Sequence, residues 1–151
     1  MDKNEVISTV NDLIETSKDG ENGFRTCANG VKDAQLKALF EKTANRCAEG
    51  ATELQATVRA LGGDPEKRGS TTAALHRGWI NIKSAITGMD ETAVLAECER
   101  GEDSAKHAYE AALKKDLPAD VRSILERQYE GVKQNHDRVR DIRNTHSMRA
   151  S

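Results

Sequence analysis

Aromatic side chains are nearly missing from this sequence: two Phe, two Tyr and one Trp make up 3% of 151 residues. Proline is scarcer still, with two in the chain. Sheets favour aromatic and β-branched residues on their half-buried faces, so the aromatic shortage argues against a sandwich or barrel. The proline shortage leaves long stretches in which every backbone N–H can join a helical ladder. No apolar run approaches the roughly 20 residues needed to cross a bilayer, and no leader-type segment opens the chain. Three cysteines, Cys27, Cys47 and Cys98, form no Cys-x-x-Cys pair. They fit small core positions in a reducing, cytoplasmic setting.

An excess of charge of one sign is absent too. Lys and Arg number 23 against 25 Asp and Glu, a net charge of −2, so no global field gathers nucleic acid. The mildly basic segment from Val121 onward interleaves Arg122, Arg127, Lys133, Arg138 and Arg140 with Glu126, Glu130, Asp137 and Asp141. That pattern reads as a solvated helix face. Phosphate-cradling glycine loops, a Gly-x-Ser-x-Gly elbow and a Cys–His arrangement are all missing, which removes the usual grounds for hydrolytic or nucleophilic catalysis.

What the sequence does hold is helical periodicity. Apolar residues recur at steps of three and four over about 4–31 (Val6, Val10, Leu13, Phe24, Cys27) and about 34–61 (Leu36, Phe40, Cys47, Leu54, Val58). Asp33 is placed to cap the second stretch, and Gly62–Pro65 stops it. A shorter stripe, Leu75, Trp79, Ile82 and Ile86, marks a connector helix over about 70–87. Trp79 is its anchor. Two more segments follow, about 91–115 and from Pro118 to Arg143, beyond which fraying is expected. The expectation is one all-α domain over 1–151: two antiparallel helical hairpins forming a four-helix bundle, joined by a crossover helix. About 18 helical residues reach roughly 27 Å, enough to run the length of a bundle.

The hairpins echo each other. From Glu21 to Arg46 is 25 positions, and from Glu102 to Arg127 is 25 again; a Glu-Gly pair follows in both, at Glu49–Gly50 and Glu130–Gly131. An offset of 81 superimposes the two patterns. At about 100° per residue, Glu49 and Glu130 fall on the solvent side, whereas Glu21 and Glu102 fall near the apolar stripes. Each of the latter follows a glycine, which costs helix stability unless a neighbour needs the room.

The stretches VNDLIETSKDGENGFRT (10–26), ALHRGWINIKSAITG (74–88), ECERGED (97–103) and ERQYEGVKQNHDRVRDIR (126–143) resemble a bacterial ferritin-like family catalogued as a domain of unknown function. The resemblance implies a ferritin-like four-helix bundle and no established activity. The wider ferritin-like superfamily holds two metal ions with inward Glu residues and two Glu-x-x-His pairs. Here the histidines at 76, 107, 136 and 146 follow Ala73, Ser104, Lys133 and Arg143 at that spacing, so the standard site is not written.

Two readings of the inward polar residues follow. In one, Glu21 pairs with Arg46 and Glu102 with Arg127, a structural ion pair repeated in each hairpin. In the other, Glu21, Glu102 and His136, with Glu53 or Glu99, form a divergent site for Fe, Mn or Zn, and the protein is a metal binder or oxidoreductase. Without that site the protein is a non-enzymatic bundle, stress-related or scaffolding, with no resident cofactor. It acts by homo-oligomerisation through exposed helix faces, by a partner, or by a small-molecule ligand admitted to the glycine-lined interior. Neither nucleic acid nor membrane is an expected partner.

Overall fold

The computed structural model describes residues 1–66, 79, 87–88 and 90–150, with side chains through residue 145. Among the described residues the long regular elements are four helices: α1 (Lys3–Gly30), α2 (Ala34–Ala60), α3 (Glu91–Leu113) and α4 (Ala119–Ala150). The expected connector helix over about 70–87 lies outside the described residues, apart from Trp79 and Thr87.

The helix starts are set by aspartates whose carboxylates accept the orphan N–H groups of the first turn. Asp2 accepts from Glu5, Asp33 from Gln35 and Leu36, and Asp90 from Thr92 and Ala93. At the end of α2 the Gly62 N–H bonds the Arg59 carbonyl and the Gly63 N–H bonds that of Val58, a Schellman stop. It requires the left-handed backbone of Gly62, with φ 81°. The helix α4 follows Pro118 as expected but runs on to Ala150 rather than fraying after Arg143. No glycine or proline follows Gly131, so nothing interrupts its ladder once the apolar stripe has ended.

The helix α1 packs on α2, α3 on α4 and α1 on α3, while the backbones of α2 and α4 approach far less. Cys27 beside Cys98 and Thr9 beside Lys115 show that α1 and α3 are antiparallel. Thr43 bonding Asn135 and Gln128 bonding Gly50 show the same for α2 and α4. All four neighbouring pairs are therefore antiparallel. The chain leaves α2 beside the start of α1, where Asn11 accepts from the Glu66 N–H and donates to the Asp64 carbonyl. It enters α3 at the far end, beside Phe24, Val31 and Phe40.

Two apolar clusters form the core. One gathers Phe24, Val31, Phe40, Leu95 and Val139; the other gathers Val10, Leu13, Leu54, Val121 and Leu125. Each fully buried Phe or Leu in them contributes about 1.5–3 kcal/mol. Between the clusters, at mid-length, the interior is not filled. No described helix is long and apolar enough to cross a membrane.

Candidate functional site: a cavity framed by one glycine from each helix

At mid-bundle the walls of a cavity of about 70 Å³ include Gly20 of α1, Gly50 of α2, Gly101 of α3 and Gly131 of α4. These are the two glycine pairs of the 81-residue echo, now in one place. The repeat is thus a repeat of the cavity wall.

Each glycine makes room for something particular. A methyl on Gly101 or on Gly23 would overlap the indole of Trp79. That ring is wedged between α1 and α3 and meets Phe24 edge-on at 4.9 Å between ring centroids. On the other side of the bundle, a methyl on Gly131 would overlap the guanidinium of Arg46, whose terminal nitrogen comes nearest. A methyl on Gly20 would stand 3.0 Å from Cys47 Sγ. Trp79 therefore closes the α1–α3 side, and the largely exposed Arg46 stands at the α2–α4 side, where the helices are farther apart.

The polar lining is linked from helix to helix. Thr43 Oγ1 lies 2.9 Å from both the Leu39 carbonyl and Asn135 Oδ1, and its single proton serves one of them at a time. Tyr109 Oη donates to Gln128 Oε1 at 2.8 Å, and Gln128 Nε2 donates to Glu53 Oε1 at 2.7 Å and to the Gly50 carbonyl at 3.3 Å. Asn135 is 5% exposed, and its side-chain amide faces the Glu102 carboxyl. Glu102, also 5% exposed, turns into the same cavity.

Burial dominates the electrostatics. It pushes the Glu102 carboxyl up from 4.5 to about 8, against the opposing pull of Asn135 and Arg46. The Cys47 thiol and the Tyr109 phenol are pushed well above their ordinary values by desolvation, so both stay neutral in the physiological range. A buried neutral thiol is a poor nucleophile.

The residues expected to work together are placed apart. Glu21 is half-buried on the outer face of α1, held by Arg25 at 3.2 Å and Lys18 at 3.6 Å. Its expected pairing with Arg46 is not the one formed. Partners at i−3 and i+4 on its own helix cost less chain ordering than one across a seam. Arg127 pairs with Glu53 of the opposite hairpin rather than with Glu102. Glu102 instead faces the cavity, with Arg46 close enough to favour its charged form. His136 and Glu99 do come together, joined by Asp103, with ligating atoms all within 4.8 Å. His136 Nε2 contacts Asp103 Oδ1, while Arg143 Nε lies 2.8 Å from Glu99. This group ties α3 to α4 through the Arg143–Glu99 ion pair and the His136–Asp103 hydrogen bond. Glu49 and Glu130 face solvent, as their angular positions require.

Asp103 and the cavity-lining roles of Cys47, Tyr109 and Arg46 escaped sequence reasoning. The glycines themselves carried the available signal: the echo drew attention to the carboxylates beside them, yet Gly50 and Gly131 point inward where Glu49 and Glu130 do not.

With this geometry in hand, the comparison with known families is decisive for membership. A family model described as domain of unknown function DUF2383 matches residues 5–115. The chain belongs to the DUF2383 family. The matched span holds α1 from Glu5 onward, α2, Trp79 and α3, and with them three of the four cavity glycines. The fourth, Gly131, and the donors Gln128 and Asn135 come from α4, beyond the matched DUF2383 span. No curated protein matches the chain.

Proposed function

We propose that this DUF2383 protein works without catalysis, as a helical-bundle binding protein that holds a small polar molecule in its central cavity. The observation that carries this reading is the pair of buried polar side chains, Glu102 and Asn135, in the wall of an interior cavity with room for more than one water-sized group. Polar groups buried where an apolar core would serve cost stability unless they are hydrogen-bonded. Position 135 is matched in the first hairpin by Leu54, which is fully buried in the core. The lining supports binding rather than turnover, because it pairs no activated nucleophile with a base: Cys47 is held neutral and no described histidine borders the cavity.

The bundle is best read as ferritin-like. That reading is supported by antiparallel packing of all neighbouring pairs and by a connection that begins at one end of the bundle and finishes at the other.

The test is an amide and methyl NMR titration of the full chain with a panel of small carboxylates, amides and amines. Binding in the cavity shifts resonances of Ser17, Cys47, Ala105 and Val132 together, one from each helix. Shifts confined to the outer faces, or none with any member of the panel, overturn the reading.

A further inference from the structure

The geometry points to a second site: a single divalent transition-metal ion bound at the seam of α3 and α4 by Glu99, Asp103 and His136. These residues line no part of the central cavity. Glu99 and Asp103 stand one turn apart on α3, at the i, i+4 spacing that puts two side chains on one helix face. His136 reaches them from α4. One donor atom from each residue lies within 4.8 Å of the other two. Donors held by one ion at about 2.0–2.2 Å are at most about 4.4 Å apart, so small rotamer adjustments close the set.

His136 carries the argument. It is 8% exposed and its ring stands between two carboxylates: Nδ1 lies 3.3 Å from Asp137 Oδ1, and Nε2 contacts Asp103 Oδ1. An ionised carboxylate only accepts, and a neutral imidazole has one N–H to give. With that proton on Nδ1, shared with Asp137, the Nε2 lone pair meets an oxygen lone pair of Asp103. A cation between them turns the repulsion into two bonds. Metal-bound histidines have this arrangement, the far ring N–H donated to a carboxylate that fixes the tautomer. Asp137 is itself held by Arg140 at 3.5 Å. A doubly protonated ring would satisfy the same two aspartates, but it would leave Glu99 unserved. Glu99 Oε2 is buried and accepts no hydrogen bond; Arg143 Nε stands 2.8 Å away as its countercharge.

Donor chemistry sets the class of ion. An imidazole among the ligands favours zinc, cobalt, manganese or ferrous iron over magnesium and calcium, which take oxygen shells. The two carboxylates balance a divalent charge, and the ion replaces Arg143 as the partner of Glu99. The side chains of Arg143 and Asp103 are 38% and 47% exposed. The arginine therefore has solvent to move into, and water can complete the coordination shell.

The experiment is calorimetric titration of the full chain, purified without a metal-affinity tag and stripped with a chelator, using zinc, cobalt, magnesium and calcium chlorides. Zinc and cobalt saturate at one ion per chain and bind about tenfold or more tighter than magnesium or calcium. In NMR spectra zinc perturbs the His136 imidazole and the amides of Glu99 and Asp103. Asp103→Asn, at a half-exposed position the bundle does not need for folding, weakens zinc about tenfold or more. Asp137→Asn, which touches only the far ring nitrogen, weakens it by roughly tenfold. Arg143→Gln removes the competing cation and tightens it, and Glu21→Gln on α1 leaves it unchanged. Failure of zinc and cobalt to saturate at one ion per chain overturns the proposal. Magnesium or calcium binding as tightly as zinc overturns it as well, because the imidazole is then no ligand. So does zinc that perturbs another histidine instead, or that binds Asp103→Asn as tightly as the parent.

Discussion

The guanidinium of Arg46, on the first hairpin, lies against the backbone of Gly131 on the second, in the space a side chain at 131 would fill. On the other side of the cavity Gly101 gives the same kind of room to the indole of Trp79. The two glycines occupy comparable notches, yet the groups they admit differ in freedom. Arg46 ends in a flexible, solvent-facing group; Trp79 is a buried ring fixed on Phe24.

That difference sets the sign of two alanine substitutions. In Gly131→Ala the guanidinium swings outward, and the gain in helix propensity, roughly 0.5–1 kcal/mol, is largely kept. In Gly101→Ala the ring has nowhere to go, and overpacking of about 1–3 kcal/mol outweighs the same gain. Urea denaturation of both variants should show the first as stable as the parent or more so and the second weakened. Equal effects would mean that Trp79 is not wedged as described.

Removing the wedge should be worse than crowding it. Trp79 is 6% exposed and joins the core cluster around Phe24. Its truncation to alanine costs about 3–5 kcal/mol by the usual cavity scale, read from the denaturation midpoint. Trp79→Phe, which keeps an aromatic ring against Phe24, should lose much less. A loss under about 1 kcal/mol for Trp79→Ala would place the indole outside the core.

Glu102 makes stability depend on pH in a stated direction. Its carboxyl titrates at 4.5 in an open chain and about 8 when folded. A raised folded pKa means that the stabilising contribution is complete below about 4.5 and lost as pH climbs to about 8, at a slope of up to ~1.4 kcal/mol per pH unit. Glu102→Gln removes the titration. Its thermal midpoint should match the parent near pH 4 and exceed it increasingly from pH 5 to 8. Parallel midpoint curves across that range would show that Glu102 is not buried.

The Arg127–Glu53 pair bridges the two hairpins but lies in solvent, with side chains 63% and 37% exposed. Exposed pairs are worth about 0–1 kcal/mol. Arg127→Met should therefore shift the unfolding free energy by less than about 1 kcal/mol. A loss of 3 kcal/mol or more is what a buried pair broken on one side would give, and it would restore the within-hairpin pairing to Glu102.

How much of this was legible can be followed residue by residue. Asp33, Gly62 and Pro118 announced the helix boundaries because capping and stopping are local hydrogen-bond and dihedral problems. The stripe through Val10, Leu13, Phe24 and Cys27 announced an inward face because burial follows the 3.6-residue period. Glu102 was aimed inward by the same angular argument, and the coordinates place it there. Glu21 met the same angular test and lies outside, because Lys18 and Arg25 sit one turn away on its own helix. Helical angle gives a direction for Cβ; it does not decide which of several cations a flexible carboxylate will take.

The sequence by itself therefore determined the four described helices, where each begins, where α2 stops, the antiparallel hairpins and the positions of the repeated glycines. Those follow from interactions spanning no more than a few turns of one helix. Only the tertiary structure decided that the four glycines line one cavity, that Trp79 closes one side and Arg46 the other, and that Asn135 and Glu102 meet in its wall. Each of these depends on how far apart neighbouring helices settle, and that distance is set by the summed packing of both core clusters rather than by any local pattern.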